Sequence, residues 1–213
     1  MLEKPFPEQT LVVATGNKGK LREFTSLFAP FGITVRSLAD YPQVGEIAED
    51  GDTFAANAEI KARAVAAVTR LPVLADDSGL CVDALDGAPG VYSARYAGEP
   101  SDDAANNAKL LRELSQLAAD TGAERQGPLL STARFVCALA LYFPGRDSLL
   151  LAEGACEGWI TSQPGGEGGF GYDPLFYIPA YDKTLAQLTP EEKNAVSHRG
   201  QALRALLDRL QAA

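Results

Sequence analysis

The stretch Thr10-Leu-Val-Val-Ala-Thr-Gly-Asn-Lys-Gly-Lys-Leu-Arg-Glu-Phe24 changes its hydrophobic period half-way along. Residues 10–15 form a short β-branched and apolar run that stops at Gly16, which reads as a buried strand. From Lys18 the spacing becomes helical, with Leu21, Phe24, Leu27 and Phe28 on one face and Pro30 and Gly32 ending the run. The alternation continues outward. Residues 33–37 are a second strand candidate, and the alanine-rich segment 53–69, which Asp52 can cap, is a helix suited to close packing on a sheet. Pro72-Val-Leu-Ala75 is a further buried strand that runs into Asp76-Asp77-Ser78-Gly79, and residues 80–85 are again extended. A helix capped by Ser101 carries Leu110, Leu111, Leu114 and Leu117, and residues 119–128 read as an exposed polar connection. Residues 132–142 and 149–158, split by Pro144-Gly145-Arg146-Asp147, form a hairpin. Thr189-Pro190-Glu191-Glu192 is a helix start, and the last helix carries Leu203, Leu206, Leu207 and Leu210. No repeat or low-complexity linker interrupts the chain, so the expectation is a mixed α/β protein with one domain over residues 1–213.

With 213 residues, 46% of them hydrophobic, the chain is long enough to bury a sizeable interior. Its 19 lysines and arginines against 28 aspartates and glutamates give a net charge of −9. That balance disfavours sequence-independent binding to nucleic acid, yet a few lysines can still make one local positive pocket for a small phosphorylated ligand. Cys81, Cys137 and Cys156 lack the spacing of a zinc or disulfide framework and read as buried, reduced thiols. No apolar run is long enough to span a membrane, and MLEKPFPEQ at the N-terminus lacks a signal core, so the expectation is a cytoplasmic protein. His198 is the single histidine, which excludes histidine-rich metal sites.

Four stretches carry chemistry. Thr15, Gly16, Asn17, Lys18, Gly19 and Lys20 lie on the strand-to-helix turn, where backbone amides and lysines suit a phosphate; a plain βα turn with solvated lysines fits the same letters. A P-loop would need glycine at Ala14, and a dinucleotide fingerprint would need glycine at Lys18. Asp76 and Asp77 follow an apolar run, where two carboxylates are costly unless paired, solvated or bound to a cation. With Glu49 they suggest a hard-oxygen site for Mg²⁺ or Mn²⁺, the alternative being an Asx-type turn. Gly165-Gly166-Glu167-Gly168-Gly169-Phe170-Gly171-Tyr172-Asp173 lets backbone approach a ligand, with Phe170 available to stack on a flat ring; a flexible loop is the alternative. Lys193 with Ser197-His198-Arg199 offers donors for carbonyl or phosphate oxygens, or else a helix start with surface charges.

In combination these stretches resemble the Ham-type ITP/XTP pyrophosphatases, house-cleaning enzymes that cleave non-standard purine nucleoside triphosphates to monophosphate and pyrophosphate. The matching segments are ATGNKGKLREF (14–24), DGDTFAANAEIKARA (50–64), LADDSGLCVDALDGAPGVYSARYAG (74–98), GGFGYDPLF (168–176) and EEKNAVSHRGQAL (191–203). They stand in the family's order and leave out residues 1–9 and 119–128. The resemblance implies an elongated mixed sheet flanked by helices, two lobes around a substrate cleft, and a homodimer. It also implies residue roles. Thr15, Asn17 and Lys20, within the substrate-binding turn 15–20, would hold the triphosphate, and Lys61 would face it. Asp77 would be general base and Mg²⁺ ligand, with Ser78 a substrate contact and Glu49 the second metal position. Phe170, Gly171, Tyr172 and Asp173, with Lys193, His198 and Arg199, would recognise the base.

Overall fold

The computed structural model describes residue 6 and residues 8–121 and 127–212. Its elements are β1 (Thr10–Val13), α1 (Lys18–Phe28), β2 (Thr34–Ser37), α2 (Phe54–Thr69), β3 (Val73–Val82), α3 (Asp103–Thr121), β4 (Leu129–Phe143), β5 (Ser148–Thr161), β6 (Phe176–Ile178), β7 (Lys183–Thr184), α4 (Pro190–Val196) and α5 (His198–Ala212). Among the described residues the strands form one mixed sheet in the order β2-β1-β3-β4-β5-β6-β7. β1 pairs in parallel with β2 and β3, as expected where α1 and α2 supply the crossovers, while β5, β6 and β7 pair antiparallel. The fold is the mixed α/β class that the alternating pattern implied.

The chain divides into two compact units, and the boundaries fall within or at the ends of β3, β4 and β5. The first comprises Met1–Asp77, Cys137–Gly154 and His198–Ala213. Within it β1, β3 and β4 bury both faces, and the faces alternate residue by residue. Leu11, Val13, Leu74, Leu139 and Leu141 pack with Phe24 and Phe28 of α1 and Leu203 and Leu206 of α5. Val12, Ala14, Val73, Ala75 and Ala140 pack instead with Ala58, Ala62, Val65 and Ala66 of α2. The small side chains of α2 are what bring that helix close to the strands.

The second unit, Ser78–Val136 and Ala155–Ser197, has its own core of Leu80, Val82, Leu110, Leu114, Phe135, Ile160 and Phe176, to which Tyr172 and Leu175 add. The Tyr172 hydroxyl donates to the Ser93 carbonyl at 2.8 Å, and the Ser93 hydroxyl accepts from the Leu80 amide at 2.9 Å. The turn before β6 is thereby tied to β3 through one buried serine.

Four local expectations change. The N-cap of α2 is Thr53, whose hydroxyl accepts from the Ala56 amide, rather than Asp52. The N-cap of α3 is Asp102, whose carboxylate accepts from the Ala105 amide at 2.9 Å, while Ser101 turns to the Ala94 carbonyl. Residues 119–121 belong to α3 rather than to a connection, and residues 122–126 lie outside the described set. Most consequentially, residues 72–75 and 80–85 are not two strands: β3 runs unbroken through Asp76-Asp77-Ser78-Gly79. β1 ends at Val13, opposite Leu74, so the aspartates lie in mid-strand just past the end of their parallel neighbour. All three thiols are free; Cys137 and Cys156 are buried as expected, while Cys81 is only half-buried.

Gly154 of β5 gives a direct check on this packing, since a Cβ there would run into the backbone of Ala202 and His198 in α5. Gly154→Ala is expected to destabilise the protein by about 2 kcal/mol, lowering Tm by roughly 5 °C. Gly145→Ala, where a Cβ would meet open space, is expected to leave Tm unchanged in the same melting experiment.

Candidate active site

Alternation along a strand sends consecutive side chains to opposite faces, so Asp76 and Asp77 cannot share an environment. Asp76 is in step with Leu74 and meets the α1 and α5 side. Its Oδ2 is 2.9 Å from Lys20 Nζ and 3.3 Å from Arg199 Nε, and the Arg199 guanidinium reaches Glu23 Oε2 at 2.8 Å. Burial alone would raise the pKa of this fully enclosed carboxyl; the charges of Lys20, Arg199 and Lys61 outweigh it and hold Asp76 well below the usual carboxylate range. It is an ionised anchor.

Asp77 is in step with Ala75 and meets α2. Its Oδ2 accepts from Asn57 Nδ2 at 3.0 Å, and its Oδ1 is 3.6 Å from Lys61 Nζ. Here burial prevails over Lys61 and Asn57, and the Asp77 carboxyl is pushed above its ordinary value. Two neighbours in one strand thus have their proton affinities moved in opposite directions.

Asn57 and Lys61 are one turn apart on α2, a spacing that puts them on one face and is the sequence signal for this pair. Lys61 Nζ also lies 2.8 Å from Glu49 Oε2. Burial opposes its charge, but Asp77, Asp76 and Glu49 together raise its pKa. The Asn57 carbonyl oxygen accepts the Gly51 amide at 2.8 Å, so one buried amide ties the loop bearing Glu49 to Asp77. Its part was not evident from the letters. Among the described residues no three His, Cys, Asp or Glu side chains cluster as a metal cage.

The phosphate-binding expectation for the turn 15–20 needs one revision. Asn17 Oδ1 accepts the amides of Gly19 at 2.8 Å and Lys20 at 3.1 Å, so these two donors are spent on capping α1. What the turn offers a ligand is the side chains of Lys18 and Lys20, and open space where a Cβ of Gly16 would stand. Thr15 is buried, its hydroxyl accepting from the Asn17 amide.

In the second unit, Asp173 Oδ2 accepts from the Phe170 amide at 2.9 Å and from Lys193 Nζ at 2.8 Å, and that ammonium lies 4.9 Å from the Phe170 ring centroid. Gly169 has φ +77°, and a Cβ there would strike the Asp173 carboxylate, so glycine is required on both counts. Phe170, Gly171, Tyr172, Asp173 and Lys193 are therefore brought together. Ser78 is half-buried in β3 of the same unit. His198 and Arg199 belong to the first unit, where both are buried, and the Arg199 guanidinium donates to Asp76 and Glu23.

The chain is 54% identical over 196 residues to the dITP/XTP pyrophosphatase of Geobacillus kaustophilus, covering 92% of this chain and 91% of that protein. It is 52% identical over 195 residues to the dITP/XTP pyrophosphatase of Halalkalibacterium halodurans, covering 92% and 95%. Among solved structures, a HAM1 protein from Coxiella burnetii superposes with a TM-score of 0.81 at 42% identity, covering 97% of this chain and all of that one. The Ham1 family matches residues 11–209, which include both aspartates of the doublet, the glycine-rich loop and most of α5, and the chain belongs to the Ham1 family.

Proposed function

We propose that this protein hydrolyses non-standard purine nucleoside triphosphates (ITP, dITP and XTP) to the monophosphate and pyrophosphate. The observation that carries the reading is the split aspartate pair, one carboxylate locked beside Lys20 and the other held beside Lys61 and Asn57 on the opposite face of the strand. The relatives named dITP/XTP pyrophosphatases support the substrate class.

A triphosphate carries up to four negative charges, so it needs cations before a nucleophile can approach. Lys18 and Lys20 on the turn, with Lys61 on α2, supply them. Asp77 accepts the proton of the attacking water. Asn57 fixes its rotamer by donating to Oδ2. Asp76 does not touch the reaction; with Arg199 and Glu23 it keeps Lys20 in place.

The donor set fits Mg²⁺. Asp77 and Glu49 both converge on the Lys61 ammonium, and these hard oxygens together with substrate phosphates are the usual surroundings of that ion, which seldom uses an all-protein cage. When bound, it supplies neutralisation of the phosphate oxygens and of the departing pyrophosphate. Asp77 and Glu49 would hold it.

The purine is assigned to the second unit's residues, with Phe170 as the stacking surface. Hypoxanthine and xanthine present a 6-keto acceptor where adenine presents a donor. Lys193, whose ammonium lies beside the Phe170 ring, is a donor that such an oxygen would engage, and a site built on such bonds rejects the wrong base strongly.

Incubation with ITP and Mg²⁺ is expected to release pyrophosphate; orthophosphate as the sole first product overturns the reading. Asp77→Asn is expected to lower kcat by about 10²-fold or more with little change in melting temperature, and near-normal turnover in the folded variant removes Asp77 from the mechanism. Phe170→Ala is expected to raise KM for ITP by about tenfold or more, at the scale of base–aromatic stacking, with inhibition by pyrophosphate unchanged. Equal losses for both ligands argue against stacking.

A further inference from the structure

The loop over residues 165–171 contains Gly165, Gly166, Gly168, Gly169 and Gly171, a composition that leaves a free chain many conformations. It is nevertheless bonded at Gly165, Gly168 and Phe170, and at Gly171 it is held from both sides. The Gly171 amide donates to Asp103 Oδ2 at 2.7 Å, and the Gly171 carbonyl accepts from Asn107 Nδ2 at 2.9 Å. Asp103 and Asn107 stand one turn apart on α3, so a single helix face grips both polar groups of one residue. Asp103 is not needed as a cap, since Asp102 does that. Gly171 has φ +61°, and a Cβ there would meet open space, so glycine serves the dihedral rather than a close approach. Its amide belongs to the peptide that joins it to Phe170, and its carbonyl to the peptide that joins it to Tyr172. Both planes are fixed, and Asp173 fixes the amide on the other side of Phe170.

We propose that Asp103 and Asn107 are positioning residues that set base specificity: their grip on Gly171 orients the Phe170 ring before a purine arrives. The proposal rests on the assignment of Phe170 to the base. Holding a glycine-rich loop in its binding conformation removes an ordering cost from binding, so the grip acts on affinity for the base and not on the phosphate chemistry. Asn107 keeps its bond although its own Oδ1 is buried without a hydrogen-bond partner among the described residues, an arrangement that costs stability. A residue present for stability alone would not be expected to carry that orphan acceptor.

The test uses the full chain with Asp103→Ala, Asp103→Asn and Asn107→Leu, measuring kcat and KM for ITP and ATP together with inhibition by pyrophosphate. Asp103→Ala and Asn107→Leu are expected to raise KM for ITP by about tenfold and to narrow the ITP-to-ATP ratio of kcat/KM by a similar factor. Their kcat and their inhibition by pyrophosphate are expected to stay within about twofold, and their melting temperatures near that of the unsubstituted protein. Asp103→Asn, whose amide oxygen still accepts from Gly171, is expected to recover most of the affinity that Asp103→Ala loses. An unmoved KM in Asp103→Ala, at an exposed position where folding is not at risk, overturns the proposal. So does a matching loss of ITP and pyrophosphate binding, or an Asp103→Asn protein as impaired as Asp103→Ala. Absence of ITP hydrolysis by the unsubstituted protein overturns the underlying activity instead; normal hydrolysis with unmoved variants overturns the grip alone.

Discussion

The constraint on which the first unit depends is that two adjacent carboxylates in a buried strand must be neutralised separately, because the pleat aims them at opposite faces. Each face has a helix pair or helix that answers. On one side Lys20 and Arg199 are brought to Asp76 by α1 and α5; on the other Lys61 and Asn57 are brought to Asp77 by α2. Losing either set leaves a buried charge without compensation, which costs about 3–5 kcal/mol. The aspartate doublet therefore fixes which side chains α1, α2 and α5 present at these points. Packing alone, with Phe24 and Leu203 on one face and Ala58 and Ala62 on the other, would accept many alternatives there.

The same division explains why the two carboxylates differ in chemistry. Asp76 has Lys20 and Arg199 against its Oδ2 and stays ionised; at Asp77 burial prevails over Lys61, 3.6 Å away, and the Asn57 amide. Identical side chains one residue apart thus differ in proton affinity through their surroundings. Neither assignment needs any special backbone geometry at the doublet, where β3 is an ordinary strand.

Much of this was legible in the letters because it is local. The change of period at Gly16, the alanine stripe of α2 and the Thr189 capping box each depend on neighbours within a few positions, and each is found. What the letters conceal depends mostly on distant partners. Asp-Asp-Ser-Gly looks like the end of a strand, yet β3 continues because its pairing across the sheet outweighs the local turn preference of those residues. The amides of Gly19 and Lys20 are taken by Asn17, a local capping bond that the phosphate reading of the turn passed over. Arg199 reaches Glu23 across 176 positions and Asp103 reaches Gly171 across 68, separations at which spacing rules carry no information.

The net charge of −9 likewise says little about the site, because a whole-chain sum does not register which charges are already paired. Around the doublet, Asp76, Asp77, Glu49 and Glu23 pair with Lys20, Lys61 and Arg199, so these charges answer one another. Such a cluster does not attract a polyanion by itself. On the proposed assignment, a phosphate that draws Lys61 away from Glu49 and Asp77 leaves two converging carboxylates without their cation. Those are the two groups that would hold Mg²⁺. Triphosphate and metal then compensate each other's charge, and each binds better with the other than alone, a reciprocity that follows from linkage. An acidic protein can in this way accept an anionic substrate without a large positive surface, by exchanging one cation for another at a pair of carboxylates the fold has already brought together.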